Sequence, residues 1–201
     1  MWKKLLVAPL VFLASLFHAP QTTYSQMITR VSASIVSVTG ITNDGNFDRY
    51  SCSGFVIAPH YMMTAKHCIG VMMQADGHVV TVIKVSDDLT DLAVIKADVE
   101  RPALALIEEP LRLYQMAHAI GYGGGIGIIT PVDGKIEGYN YSPSKDFAPG
   151  LFVGISYIPG MSGGPVVDDA GNVIGIVQQS FITLGYGVQT LTIRAFLLGV
   201  F

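Results

Sequence analysis

Gly160-Met161-Ser162-Gly163-Gly164-Pro165-Val166-Val167-Asp168-Asp169-Ala170-Gly171-Asn172-Val173-Ile174-Gly175-Ile176-Val177 runs from a glycine-rich turn into two short β-branched stretches. Residues 165–167 and 173–177 read as strands, and the polar break between them reads as a hairpin turn whose Gly171 and Asn172 suit positive φ. Outward from this hairpin the pattern repeats. Apolar stretches of strand length occupy residues 31–38, 55–58, 79–85 and 92–96, then 117–120, 127–130 and 151–155. Pro59-His60 ends one of them as a turn signal. Residues 192–198 suit a short C-terminal helix. Many short strands, frequent turns and almost no long helix give an all-β sandwich or barrel. Residues 101–114, with Pro102 and Pro110, read as a connector between two β halves.

The bulk properties fit one catalytic-sized domain. Of 201 residues, 50% are hydrophobic and 13% charged, which supports a packed core and excludes a disordered chain. A net charge of −3, with no basic run and no phosphate-type glycine loop, gives no reason to expect nucleic acid. Lys3 and Lys4 precede an apolar run over residues 5–17 and a polar exit, the pattern of a secretory signal peptide. The run is short for a membrane span. Residues 1–25 are therefore read as a signal and residues 26–201 as the mature domain. Ser25 suits the cleavage point better than Ala19, which Phe17 and Pro20 flank unfavourably. An uncleaved N-terminal anchor is the alternative; either way the domain is exported, to the periplasm or outside the cell, with no other membrane association.

Cys52 and Cys68 are the only cysteines. In an oxidising compartment such a close pair reads as a disulfide, against the alternative of two separate buried thiols. Neither a metal nor a cofactor is expected, because two cysteines do not complete a tetrahedral site and His60 and His67 lack ligand spacing.

A serine that attacks an amide or ester needs an exposed turn, a histidine base, an orienting carboxylate and backbone N–H groups for the oxyanion. Ser162 stands among three glycines and a proline, where backbone can approach a substrate closely. The N–H groups of Gly160 and Ser162 are placed to converge on a carbonyl oxygen. His67, in Thr64-Ala65-Lys66-His67-Cys68, follows an apolar strand and neighbours a cysteine that can tie back to Cys52. His18, His60, His78 and His118 have no such context. Asp91 directly precedes the apolar stretch Leu92-Ala93-Val94-Ile95-Lys96; Asp87 and Asp88 are its upstream rivals.

In the order His67, Asp91, Ser162, these segments resemble the chymotrypsin-fold, trypsin-like serine peptidases. Ser51-Cys52-Ser53-Gly54-Phe55-Val56-Ile57 is similar to that family's histidine region, and residues 160–165 match its Gly-x-Ser-Gly-Gly-Pro motif. The resemblance implies two six-stranded antiparallel β-barrels with a short C-terminal helix, the first over about residues 26–105 and the second over about 116–190. His67 and Asp91 would come from the first barrel and Ser162 from the second. It further implies endopeptidase action on protein or peptide through an acyl-enzyme, with a catalytically inactive binding module on the same fold as the alternative. Met161 replaces the aspartate that precedes the serine in animal trypsins, so no trypsin-type zymogen switch is expected. Residues 90–96 and 168–176 look more like the bacterial HtrA/DegP-type proteins, although the sequence leaves no room for their PDZ domain after the serine barrel. A minimal, monomeric peptidase is therefore expected. The resemblance places Ser156 at the base of the primary pocket and Gln178, Gln179 and Ser180 near its wall. With no acid at position 156, an uncharged residue is expected before the scissile bond.

Overall fold

The computed structural model describes residues 23–42, 48–87, 89–107, 110–145 and 147–201. Most of the expected signal segment, His18 and Asp88 therefore lie outside the described residues. The chain opens with helix α1 (Tyr24–Ser32) and continues through β1 (Ile35–Ile41), β2 (Arg49–Ala58), β3 (Tyr61–Ala65), β4 (Val71–Ala75), β5 (His78–Val79), β6 (Thr81–Val85) and β7 (Leu92–Lys96). The second half contains β8 (Met116–Gly121), β9 (Thr130–Tyr141), β10 (Gly150–Val153), β11 (Pro165–Val167), β12 (Val173–Phe181), β13 (Leu184–Gln189) and helix α2 (Thr190–Leu197).

The second half closes as expected, into a six-stranded antiparallel barrel in the order β10-β13-β12-β11-β8-β9. The first half is a seven-stranded antiparallel sheet in the order β5-β4-β1-β2-β3-β7-β6. Its two edge strands, β5 and β6, are consecutive in sequence and separated by Val80 alone. The chain itself thus joins the two edges, but among the described residues no ladder closes them, so this half is a seven-stranded sheet with six ladders rather than the expected six-stranded barrel.

Residues 31–38 were expected as one strand, but β1 begins only at Ile35. Thr23 caps α1 and Gln26 returns a bond to Thr23 N–H, a capping box that the alternation at 31–38 conceals. Met27 and Val31, spaced i,i+4, are the buried face of this helix. Helix α1 lies against β8 of the second barrel: Tyr24 donates its hydroxyl to Asp133, and Arg30 bonds the Ala170 carbonyl. The expected strand at 127–130 starts only at Thr130, because Gly127 is in the left-handed region. In the 168–172 turn Gly171 has φ 75°, as expected. Asn172 instead donates its backbone and side-chain N–H groups to the Asp168 carboxylate, at 2.8 and 3.2 Å.

Three apolar clusters hold the fold. One fills the first barrel around Val36, Val56, Met62 and Ile95, and another fills the second around Ile136, Leu151, Met161 and Val177. The third lies where the halves meet, uniting Phe55, Met63 and Val94 with Ile120, Ile176 and Val188. Burying side chains of this size stabilises by about 1.5–3 kcal/mol each, so the crevice between the halves has a rigid floor. The connector adds to it: Leu104 N–H donates to Val56 of β2, and Ile107 N–H donates to Val173 of β12.

Candidate active site

His67 sits in the short 3₁₀ turn Lys66–Cys68 that ends β3. The Cys52–Cys68 disulfide is formed and ties that turn to β2. The carboxylate of Asp91 embraces His67 twice: Oδ1 accepts the backbone N–H at 2.8 Å and Oδ2 meets Nδ1 at 2.7 Å. Two bonds on one carboxylate fix both the backbone and the ring, and leave Nε2 as the outward nitrogen. Asp91 has φ 51°, an uncommon conformation for a residue with a side chain. The Lys66 N–H holds the Asp91 carbonyl at 3.1 Å.

The rival acid is occupied elsewhere. Asp87 Oδ1 accepts the Thr90 N–H at 2.8 Å, and hydrogen bonds from Thr90 hold its carboxyl below the usual range. Asp87 shapes the turn that delivers Asp91. His60 and His78 lie outside the cleft; His60 approaches Asp98 at 3.7 Å. His118 does have partners, contrary to its sequence context. It is buried between Asp133 (2.8 Å) and Asp169 (3.0 Å), beside Tyr24, and helps dock α1.

Ser162 occupies the tight turn before β11. Most backbone polar groups of this loop are paired. The Pro159 carbonyl accepts from Gly124 N–H (2.7 Å) and the Met161 carbonyl from Gly164 N–H (2.9 Å). Met161 N–H donates to Ile158 (3.0 Å) and Gly163 N–H to Val177 (2.8 Å). The Gly160 and Ser162 carbonyls are both taken by Ser53, at 2.8 Å each. Among the described residues, the N–H groups of Gly160 and Ser162 have no protein acceptor. Gly160 has φ 95°, and a Cβ there would overlap the Tyr122 carbonyl. Met161 is fully buried in the second barrel's core.

The Ser162 hydroxyl contacts the Gln178 carbonyl at 3.4 Å, and the Ser162 carbonyl lies 3.8 Å from Cys68 Sγ beside His67. His67, Asp91, Gln178 and Gln179 line one cleft of about 530 Å³, walled by Leu89 and Phe147. Tyr186 stands near; burial, and then the charge of Asp91, push its phenol up to about 12. The four expected substrate-side residues are placed differently from one another. Gln179 faces the cleft. Gln178 is buried and spends its amide on the carbonyls of Thr90 (2.7 Å) and Asp91 (3.3 Å). Ser156 donates to the Ile182 carbonyl at 2.6 Å, and Ser180 Oγ bonds both the N–H and the carbonyl of Tyr157. These two hydroxyls brace the segment at 156–158 against β12. The cysteines and His67 cluster within 4.8 Å, but a disulfide leaves no thiolate to bind metal.

A β half that carries a paired His67 and Asp91, joined to a second β half that carries a serine in a glycine-rich turn, is the arrangement expected of serine hydrolases built on two β halves. Residues 52–176 match the trypsin-like peptidase domain. The chain belongs to that family. A protein of Halomonas elongata named "Probable periplasmic serine endoprotease DegP-like" is 33% identical over 143 residues, 66% of this chain and 30% of that protein. The chain thus spans under a third of that relative's length. A variant of the HtrA-type protease AlgW, solved with a tripeptide, superposes with TM-score 0.79 at 23% identity, covering 89% of this chain and 63% of that one. The active form of the Rv3671c protease from M. tuberculosis gives TM-score 0.76 at 21% identity, covering 100% and 94%. Both share the fold.

Proposed function

We propose that the chain hydrolyses peptide bonds of exported proteins or peptides through an acyl-enzyme on Ser162. The observation that carries this reading is the pair of unspent N–H groups on Gly160 and Ser162, on a serine whose hydroxyl contacts Gln178, a residue that lines the same cleft as the Asp91-oriented His67. In the proposed cycle, His67 Nε2 takes the Ser162 proton as Oγ bonds to the substrate carbonyl carbon. The carbonyl oxygen becomes an anion and accepts from the Gly160 and Ser162 N–H groups. His67 then returns the proton to the leaving amine as the C–N bond breaks. Water repeats the sequence and releases the acid. Asp91 stays ionised and stabilises the imidazolium. No metal or cofactor enters any step.

The Ser162 hydroxyl rests on the Gln178 carbonyl and would swing to His67 when substrate enters, as catalytic hydrogen bonds commonly tighten on binding. The proposed pocket floor lies at Ser156, with Gln179 beside the substrate backbone. No acid there would receive Lys or Arg, which supports a preference for an uncharged residue. The signal-like N-terminus and the disulfide support action in the periplasm or outside the cell. Labelling by a fluorophosphonate probe, followed by peptide-library cleavage, tests the reading. Wild type should label and cleave, and Ser162→Ala should do neither. A folded wild type that never labels would instead be a binding module, and cleavage chiefly after Arg would refute the proposed pocket.

A further inference from the structure

The structure assigns to Ser53 the role of a positioning residue that holds the oxyanion loop open from the opposite barrel. The assignment rests on the proposed roles of Gly160 and Ser162. Ser53 is on β2 in the first half, is fully buried, and is 107 residues from Gly160 in sequence. All three of its polar groups are engaged, in four hydrogen bonds. Its hydroxyl donates to the Gly160 carbonyl (2.8 Å) and accepts the Tyr122 N–H (2.8 Å). Its N–H donates to the Ser162 carbonyl (2.8 Å), and its own carbonyl accepts the Thr64 hydroxyl (2.8 Å).

These bonds fall on alternate peptide groups of the loop. The unit joining Gly160 to Met161 is held by Ser53 Oγ at its carbonyl and by Ile158 at its N–H. The unit joining Ser162 to Gly163 is held by Ser53 N–H and by Val177. The alternating units Pro159–Gly160 and Met161–Ser162, which carry the Gly160 and Ser162 N–H groups, are pinned only at their carbonyls, so both N–H groups face away from those pins. Glycine at 160 has no side chain to resist rotation. Without the hydroxyl, the Gly160 carbonyl and the Tyr122 N–H both lose a buried partner, and the loop gains a reason to turn.

The surroundings are shaped around this hydroxyl. A Cβ at Gly121 would stand 2.6 Å from Ser53 Oγ, and one at Gly163 would overlap the Ser53 carbonyl and Thr64 Oγ1. The first barrel thereby sets the geometry of a hole made entirely of second-barrel backbone. Transition-state donors act only when aimed at the developing oxyanion, so a loosened loop lowers turnover more than substrate binding.

The experiment compares wild type, Ser53→Ala and Gly121→Ala, the last of which displaces the hydroxyl without removing it. Active sites are counted by fluorophosphonate titration, and kcat and KM are measured on a peptide cleaved by wild type. Binding of a peptide boronate based on that sequence, whose tetrahedral adduct fills the hole, is measured in parallel. Ser53→Ala should lower kcat about 10- to 100-fold, change KM by less than about threefold, and weaken boronate binding in step with kcat. Gly121→Ala should show the same split, and it decides the matter where Ser53→Ala does not fold. A lower melting temperature with unchanged kcat and boronate affinity per titrated site would reduce Ser53 to a structural residue and overturn the assignment. Absence of labelling in folded wild type would overturn the reading of Gly160 and Ser162 beneath it, a different and separable failure.

Discussion

Gln178, on β12 of the second barrel, donates its side-chain amide to the backbone carbonyls of Thr90 and Asp91 in the first. The acid that orients His67 is thus held from across the crevice. Gln178→Ala should leave the Thr90 carbonyl without this donor and the Asp91 carbonyl with only the Lys66 N–H, and so loosen the Asp91 turn. A net hydrogen bond contributes about 0.5–1.5 kcal/mol, which corresponds to a fall in kcat/KM of about 2- to 13-fold. Steady-state kinetics on one peptide would show it. Wild-type rates in Gln178→Ala would mean that the turn holds itself.

Met161 bears on activation. In animal trypsins, the residue before the serine is an aspartate that waits for a newly freed N-terminus. Here that position is a fully buried methionine packed in the second barrel core, with Sδ 3.4 Å from Ile158 N. Apolar burial thus anchors the loop at this position. Met161→Leu should cost less than about 1.5 kcal/mol and retain labelling. Met161→Asp would bury a carboxylate with no cation opposite it among the described residues of that cluster, and should abolish fluorophosphonate labelling. Equal labelling of both variants would argue against an apolar anchor.

The disulfide acts on stability and on the site together. Closing a 16-residue separation contributes about 3 kcal/mol through the unfolded state. For a chain of this size that corresponds to roughly 6–12 °C in melting temperature. The double variant Cys52→Ala, Cys68→Ala should melt lower by that amount. Because Cys68 adjoins His67, kcat should also fall while the protein is still folded. Calorimetry and kinetics at 25 °C separate the two effects.

Much of this site is legible in short segments. His67, Asp91 and Ser162 each sit in a local pattern that one strand or turn explains, and Asp91 is preferred to Asp87 because an apolar strand follows it. The left-handed backbone of Asp91 is not legible, since nothing local demands it; the bonds from Lys66 and to His67 hold it there. Ser53 escapes sequence reading for a related reason. Its partners in the serine loop and at Tyr122 are 69 to 109 residues away, and a serine within an alternating strand looks like any half-exposed one. Helix α1 is hidden because Val31 belongs to two patterns, and the capping box at Thr23 and Gln26 outweighs the alternation that begins there. Ser156 and Ser180 are expected at the pocket from their sequence positions alone, whereas local geometry turns their hydroxyls onto backbone.

The positive φ of Asp91 makes one substitution unusually informative. Asparagine tolerates the left-handed region better than most residues, so Asp91→Asn should fold with little change in melting temperature. Its amide cannot reproduce both bonds to His67. The carboxylate accepts the His67 backbone N–H on one oxygen and the ring nitrogen on the other. In Asp91→Asn one of these positions must become an NH₂ donor. If the amide oxygen keeps the backbone N–H, the NH₂ group faces Nδ1 and favours the tautomer with its proton on Nε2. That nitrogen then cannot accept the Ser162 proton. Turnover should drop by about 10⁴-fold at neutral pH, the scale set by wrong-tautomer variants of such triads. Peptide binding, measured in a Ser162→Ala background, should stay within a few-fold of that of Ser162→Ala alone. Nitrogen NMR of the His67 ring would report the tautomer directly. A proton found on Nδ1 in Asp91→Asn, with activity nonetheless lost, would shift the role of Asp91 from tautomer control to charge stabilisation.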